Sequence, residues 1–179
     1  MRPPAPGRTE PPAGLLRRLD GWARAAFPAS FTALLLILAV APIDGPGLLL
    51  AIALPCVFFW SLFRPAAMPA PAVFLLGLLH DLLVLAPLGP GILALLLCHG
   101  LVLRLRGSLS RQGFLLVWLA FAAVAGLAVL LCYALTALLM LRLPPPAPGL
   151  VQFAITVGLY PALALLLTQA HRAMERAEG

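Results

Sequence analysis

The amino-acid sequence predicts an all-α fold, a polytopic transmembrane helical bundle of six spans with the N and C termini both in the cytoplasm. Three observations lead there. Hydrophobic residues make up 63% of the 179-residue chain and charged residues only 10%, whereas a soluble domain carries about a quarter charged residues to wet its surface. The apolar residues gather into six stretches, at roughly 27–43, 47–63, 72–88, 91–105, 113–141 and 149–170. Crossing a bilayer takes about 20 apolar residues in a helix, with roughly 17 as the lower end. Finally, the basic residues are one-sided. With the N-terminus inside, the inner segments hold Arg2, Arg8, Arg17, Arg18, Arg24, Arg64, Arg104, Arg106, Arg111, Arg172 and Arg176, and the outer segments hold Arg142 alone. That is a positive-inside distribution, and five spans would spoil it because both tails are basic.

Residues 1–26 precede the first span. The proline-rich stretch 1–14 reads as a disordered tail. Beyond it, Leu15, Leu16, Leu19, Trp22, Ala23 and Ala26 share one helical side, opposite Arg17, Arg18, Asp20, Gly21 and Arg24. Such a helix suits the anionic inner leaflet, and a partner-binding helix would carry the same pattern. An Arg-bearing start, the apolar run 31–40 and Ala39-Val40-Ala41 resemble a cleavable signal peptide, but the preceding segment is long and Pro42 directly after the small residues disfavours cleavage.

The six-span domain, 27–173, is punctuated by turn chemistry. Breaks fall at Pro42 to Pro46, Arg64 to Pro71, Pro87 to Gly91, Gly107-Ser108 and Leu143 to Pro146, where proline and glycine end one helix and free the backbone to start another. With connections this short, consecutive helices are expected to be antiparallel neighbours. The fourth span is short unless Arg104 and Arg106 snorkel to the interface, and the fifth is long enough to tilt. Ala122 and Gly126 offer a small-residue packing site. Pro161 is expected to kink the last span, with neighbours or water satisfying the carbonyl it frees. Trp22 and Trp60 are expected at the inner interface as aromatic anchors, and Trp118 is read in the same way. Gln152 and Thr156 could cap, line a cavity or bind a partner, and packing is the expectation. Residues 174–179 form a short cytoplasmic tail.

Chemistry-bearing residues are scarce. Net charge is +6, which elsewhere raises nucleic acid as a partner, but the arginines flank apolar runs and the expected partner is membrane lipid. Cys56, Cys98 and Cys132 lie inside apolar runs without metal-ligand spacing. Ser30, Ser61, Ser108 and Ser110 lack a nucleophile-elbow pattern, and no metalloprotease, phosphate-loop or dinucleotide motif occurs. Neither catalysis nor a cofactor is expected.

The anomaly is Asp81, a carboxyl group in the third apolar stretch. Insertion scales charge about 2.5–3.5 kcal/mol for Asp at mid-membrane, so such a residue normally faces the bundle interior with a partner. Gly77, one turn earlier on the same face, lets a neighbouring helix approach. His80 stands about 100° away around the helix and is not expected to share that face. His99 is the candidate partner, since both residues lie about 9–12 Å below the outer turn at ~1.5 Å per residue. Such a pair could lock two helices, serve conformational signalling or partner contact, or handle a proton or ligand.

The stretch Phe74-Leu-Leu-Gly77-Leu-Leu-His80-Asp81-Leu-Leu-Val-Leu-Ala-Pro87-Leu88-Gly89 resembles the signature of the MreD family of rod shape-determining membrane proteins. The Arg-rich link from Arg104 to Arg111, the Arg111-Gln112-Gly113-Phe114 that opens the fifth span, and the ending from Leu159-Tyr160-Pro161 to Ala170-His171-Arg172 accompany it. The sequence departs from the family at Val84, Leu85 and Ala86, where small polar residues or glycine are frequent. The resemblance implies a multi-pass protein of the bacterial inner membrane and a non-enzymatic part of the cell-elongation machinery. It further implies work with the bitopic protein MreC, the actin-like MreB, and RodA with its class B penicillin-binding protein. Gly77, Asp81, Pro87, Leu88, Gly89 and His99 are the residues expected to matter. A second reading is the substrate-binding membrane subunit of an energy-coupling-factor vitamin transporter, which has a similar Gly-x-x-x-Asp helix. Such a subunit needs polar or aromatic residues around a ligand, whereas the outer connections here offer chiefly Asp44, Arg142, prolines and glycines.

Overall fold

A computed structural model describes residues 13–40, 46–85 and 87–176, with side chains over 26–39, 49–85 and 87–170 and at 172. Six α-helices follow in order: α1 Ala13–Val40, α2 Pro46–Phe63, α3 Ala70–Val84, α4 Pro90–Leu109, α5 Phe114–Met140 and α6 Pro146–Arg176. A short 3-10 turn, Pro65–Ala67, joins α2 to α3, and no strand occurs among the described residues. The proline-rich start, the side chains of 15–25, Asp44 and the side chains of the C-terminal tail lie outside the described residues.

Proline opens the helices, as its fixed φ and missing N–H allow. Pro46, Pro90 and Pro146 are first residues, and Pro71 is the second residue of α3. Two helices stop on leucines in the left-handed conformation, Leu85 (φ 54°) after α3 and Leu141 (φ 51°) after α5. These stops correct the expected boundaries: the third helix ends at Val84 instead of running to 88. Gly107-Ser108, read as a break, lies inside α4, which gains a full turn and reaches 20 residues. Glycine inside a helix costs only about 1 kcal/mol, too little by itself to end one. The amphipathic segment and the first apolar stretch form one unbroken helix through Pro28.

Among the described residues, three helices are long and apolar enough to cross a membrane, Pro90–Leu109, Phe114–Met140 and Pro146–Ala170, and three shorter apolar ones accompany them, Ala26–Ala39, Leu49–Phe63 and Ala70–Val84. Each consecutive pair of helices touches, and α6 closes back onto α2, which also packs on α1 and α4. From Leu49 to Leu62 every residue of α2 but Ile52 is buried, as expected of a helix apolar all round at a bundle centre. Phe58, Phe121 and Tyr160 fill the space between α2, α5 and α6, with Phe121 stacked on Tyr160 at 4.2 Å between ring centroids and Phe58 edge-on to Phe121 at 5.2 Å.

Central placement of α2 overturns one expectation. Trp60 is not an interfacial anchor: it is fully buried, with Phe27 and Phe59 edge-on to its ring. Trp118 also does something other than anchor. Pro161 has no N–H to offer the carbonyl of Val157 four residues before it, and the Trp118 indole N–H donates to that carbonyl at 3.1 Å. The freed backbone acceptor is thus satisfied by a neighbouring helix, as apolar surroundings require. Thr156 donates to the Gln152 carbonyl of its own helix at 2.7 Å and is fully buried, so it packs instead of capping.

Candidate functional site: a carboxyl group at the start of a helix

Two buried polar residues, His80 and Asp81, stand side by side where α3 turns into α4. Val73, Leu76, Gly77, His80 and Asp81 form the buried face of α3. On α4 the buried residues near the turn are Pro90, Gly91, Ala94 and Leu95. Between the helices the chain must reverse within a few residues. Leu85 stops α3 in the left-handed conformation, Pro87 and Leu88 span the turn, and Gly89 precedes α4 with φ 125°. That φ is one side chains rarely adopt, so glycine is required there.

The turn aims the first N–H groups of α4 back at Asp81. Gly89 N–H donates to Asp81 Oδ2 at 2.8 Å, Gly91 N–H to Oδ1 at 3.0 Å, and Ile92 N–H to Oδ2 at a longer 3.4 Å. The opening amides of a helix have no partner within it, and the helix dipole favours negative charge there. The Asp81 carboxyl group meets both needs from the preceding helix. Its partner is therefore a helix terminus, and the expected pairing with His99 is absent.

His80 joins the same cluster. Its Nδ1 lies 3.0 Å from Asp81 Oδ1, a contact the 100° separation along the helix had excluded. Side-chain rotation can bring the polar ends of adjacent residues together although their Cα–Cβ bonds diverge, and the α4 amides hold Asp81 in place for the contact. Because a carboxylate only accepts, Nδ1 carries the proton, and a neutral ring then leaves a lone pair on Nε2. Among the described residues that buried Nε2 has no hydrogen-bond partner.

Two glycines let the helices come this close. A Cβ on Gly77 would stand 2.6 Å from the Cα of Ile92, well inside contact distance, and one on Gly91 would overlap Asp81 Oδ1 and His80 Nδ1. Gly77 was visible in the sequence as a close-approach residue. Gly91 was not singled out, although a Pro-Gly pair opening a helix ten residues after a buried Asp is a usable signal. Cys132 of α5 adds a weak contact, its thiol 3.5 Å from the Pro90 carbonyl.

His99 belongs to a different contact. Its Nδ1 lies 2.8 Å from Ser61 Oγ, tying α4 to α2, and both residues are buried. Equal depth brought Asp81 and His99 together on paper, but depth says nothing about which way a side chain faces around its helix. Serine and histidine at this distance have the composition of a nucleophile and base. Ser61 is, however, wholly inaccessible, so no substrate reaches its hydroxyl in this arrangement. Ser61→Ala leaves His99 Nδ1 without its partner, at about 1–3 kcal/mol for a buried polar group. We expect a lower melting temperature for that variant in detergent, and an unchanged one would show that the bond contributes nothing net.

Of the residues singled out from the sequence, Asp81 and Gly89 are hydrogen-bonded to each other, and Gly77 lies one turn away against Ile92. Pro87 and Leu88 build the turn beside them, Leu88 being 58% exposed, and His99 sits elsewhere. Among the described residues no group of three or more His, Cys, Asp or Glu side chains is placed to hold a metal ion. No family model, curated protein or solved structure matches the chain.

Proposed function

We propose that this protein is a non-enzymatic scaffold in the bacterial inner membrane, akin to the MreD family, that helps organise lateral peptidoglycan synthesis and maintain rod shape. The resemblance of residues 74–89 motivates the reading. One observation supports it: Gly77, Asp81 and Gly89, which carry the resemblance, are among the residues that close the α3–α4 hairpin. A motif spent on fixing two helices suits a scaffold, because a partner's span needs a surface that does not shift.

In this reading all six helices cross the bilayer with both termini in the cytoplasm. The exposed Arg104, Arg106 and Arg111 at the α4–α5 connection then face the anionic inner surface, as positive-inside orientation favours. Helix α3, with 15 residues, is the shortest span and is extended by its apolar turn. The lipid-facing helices would hold the single span of an MreC-like partner. The inner connections would meet MreB and RodA with its class B penicillin-binding protein.

A crosslinked, detergent-solubilised pull-down of the tagged protein from its native host tests this directly. Recovery of an MreC-like protein and elongation-synthase subunits is the expected result. Recovery of transporter ATPases with a coupling subunit would sink the scaffold in favour of a vitamin-transporter subunit.

A further inference from the structure

Helices α5 and α6 do not close on each other along their whole length. Gly126, Val129, Leu130 and Tyr133 of α5 face Pro146, Gly149, Leu150 and Phe153 of α6 across a groove of about 400 Å³. Each set has the spacing i, i+3, i+4, i+7, which marks one continuous helix face, so the groove runs along both helices. Its depth comes from missing side chains. A Cβ on Gly149 would lie 3.8 Å from Val129 and one on Gly126 would lie 3.5 Å from the Phe153 ring, so a larger residue at either point would enter the gap. Tyr133 holds the upper end in place by donating its hydroxyl to the Pro144 carbonyl at 2.9 Å.

Dimensions select the occupant. Seven residues at ~1.5 Å per residue give a groove about 10 Å long, so 400 Å³ corresponds to a mean cross-section of about 40 Å². A helix with its side chains is about 10–12 Å across, too wide to lie within that section, so it could only rest one face over the groove. A hydrocarbon chain fits. Beyond Tyr133, α5 continues two more turns to Met140, and the turn that follows carries Arg142, an exposed residue between Leu141 and Leu143, which are 88% and 84% exposed. Two leucines so exposed favour the headgroup boundary over open water, which puts Arg142, between them in the chain, at that level. Asp81 is the only carboxylate among the described side chains, and it lies at another turn.

We infer that the α5–α6 groove binds one acyl chain of an anionic glycerophospholipid, with Arg142 on the headgroup phosphate. Arg142 is also the single arginine that the inside-positive pattern leaves on the opposite side of the membrane, and phosphate recognition is a reason for its being there. This inference rests on the membrane character of the chain and not on the scaffold reading.

The test uses the full chain in phosphatidylcholine vesicles doped with phosphatidylglycerol whose acyl chain carries a photoactivatable diazirine, followed by peptide mapping. Labelling is expected to concentrate on Val129, Leu130, Leu150 and Phe153, above that of the lipid-facing Leu115 and Leu119. Arg142→Gln should lower groove labelling about fivefold, the effect of one arginine near an anionic surface. Its exposed position leaves folding untouched, which circular dichroism checks. Gly149→Leu should abolish groove labelling from both phosphatidylglycerol and a matching phosphatidylcholine probe. Labelling spread evenly over Leu115, Leu119 and the groove would overturn the inference, as would an Arg142→Gln protein labelled like wild type. A dimer in native mass spectrometry that excludes the label would put a second copy in the groove and overturn it equally.

Discussion

Asp81→Asn is expected to destabilise the protein by about 3 kcal/mol, although it changes one atom. From the sequence alone, asparagine looks like a near-neutral replacement that keeps the shape and much of the hydrogen bonding. Around Asp81, however, every contact is one in which the carboxyl group accepts: from Gly89 and Gly91 N–H, from Ile92 N–H at longer range, and from His80 Nδ1. An amide offers one acceptor oxygen and turns two N–H donors toward the remaining donors. It forfeits at least two charge-assisted bonds at roughly 1.5 kcal/mol each, and the favourable charge at the α4 terminus. Asp81→Leu loses all of them and is expected not to accumulate as folded protein. Thermal unfolding of purified protein in detergent measures both, and an asparagine variant melting with wild type would contradict this view of the site.

Gly91→Ala carries the second large effect, and here two physical arguments give opposite signs. Helix propensity favours alanine over glycine by about 1 kcal/mol. Sterics oppose it, because the new Cβ overlaps Asp81 Oδ1 and His80 Nδ1. Relief requires moving the carboxyl group off the α4 amides, so overpacking at about 1–3 kcal/mol adds to lost hydrogen bonds, and sterics win. Gly100 supplies the control on the same helix, since a Cβ there meets nothing within 4 Å. Gly100→Ala should therefore be neutral or slightly stabilising. A Gly91→Ala protein as stable as Gly100→Ala would mean that the helices do not approach as described.

Much of this was legible in the residues, and the failures have physical causes. Helix positions followed from apolar runs broken by proline and glycine, and Asp81 stood out because a carboxyl group in such a run needs a partner. Which partner was not legible. His99 matched in depth, yet the α4 backbone supplied the donors, and a backbone has no letter in the sequence. That α2 forms the centre was equally hidden. In a membrane protein lipid-facing and buried positions are both apolar, so hydropathy cannot separate them, and Trp60 was assigned to an interface it does not reach. The carbonyl freed by Pro161 was foreseen as a need. Its partner Trp118 comes from a helix some forty residues away in the chain, a pairing only the packing of α5 on α6 determines.

Amide hydrogen exchange at Gly89, Gly91 and Ile92, resolved by NMR in lipid nanodiscs, is the most direct test that one carboxyl group closes the hairpin. These amides should be protected in the wild-type protein. In Asp81→Asn they should exchange far faster, while amides in the middle of α4 keep their protection. Free exchange at Gly89 and Gly91 in wild type, or equal protection in the variant, would show that Asp81 does not hold the start of α4.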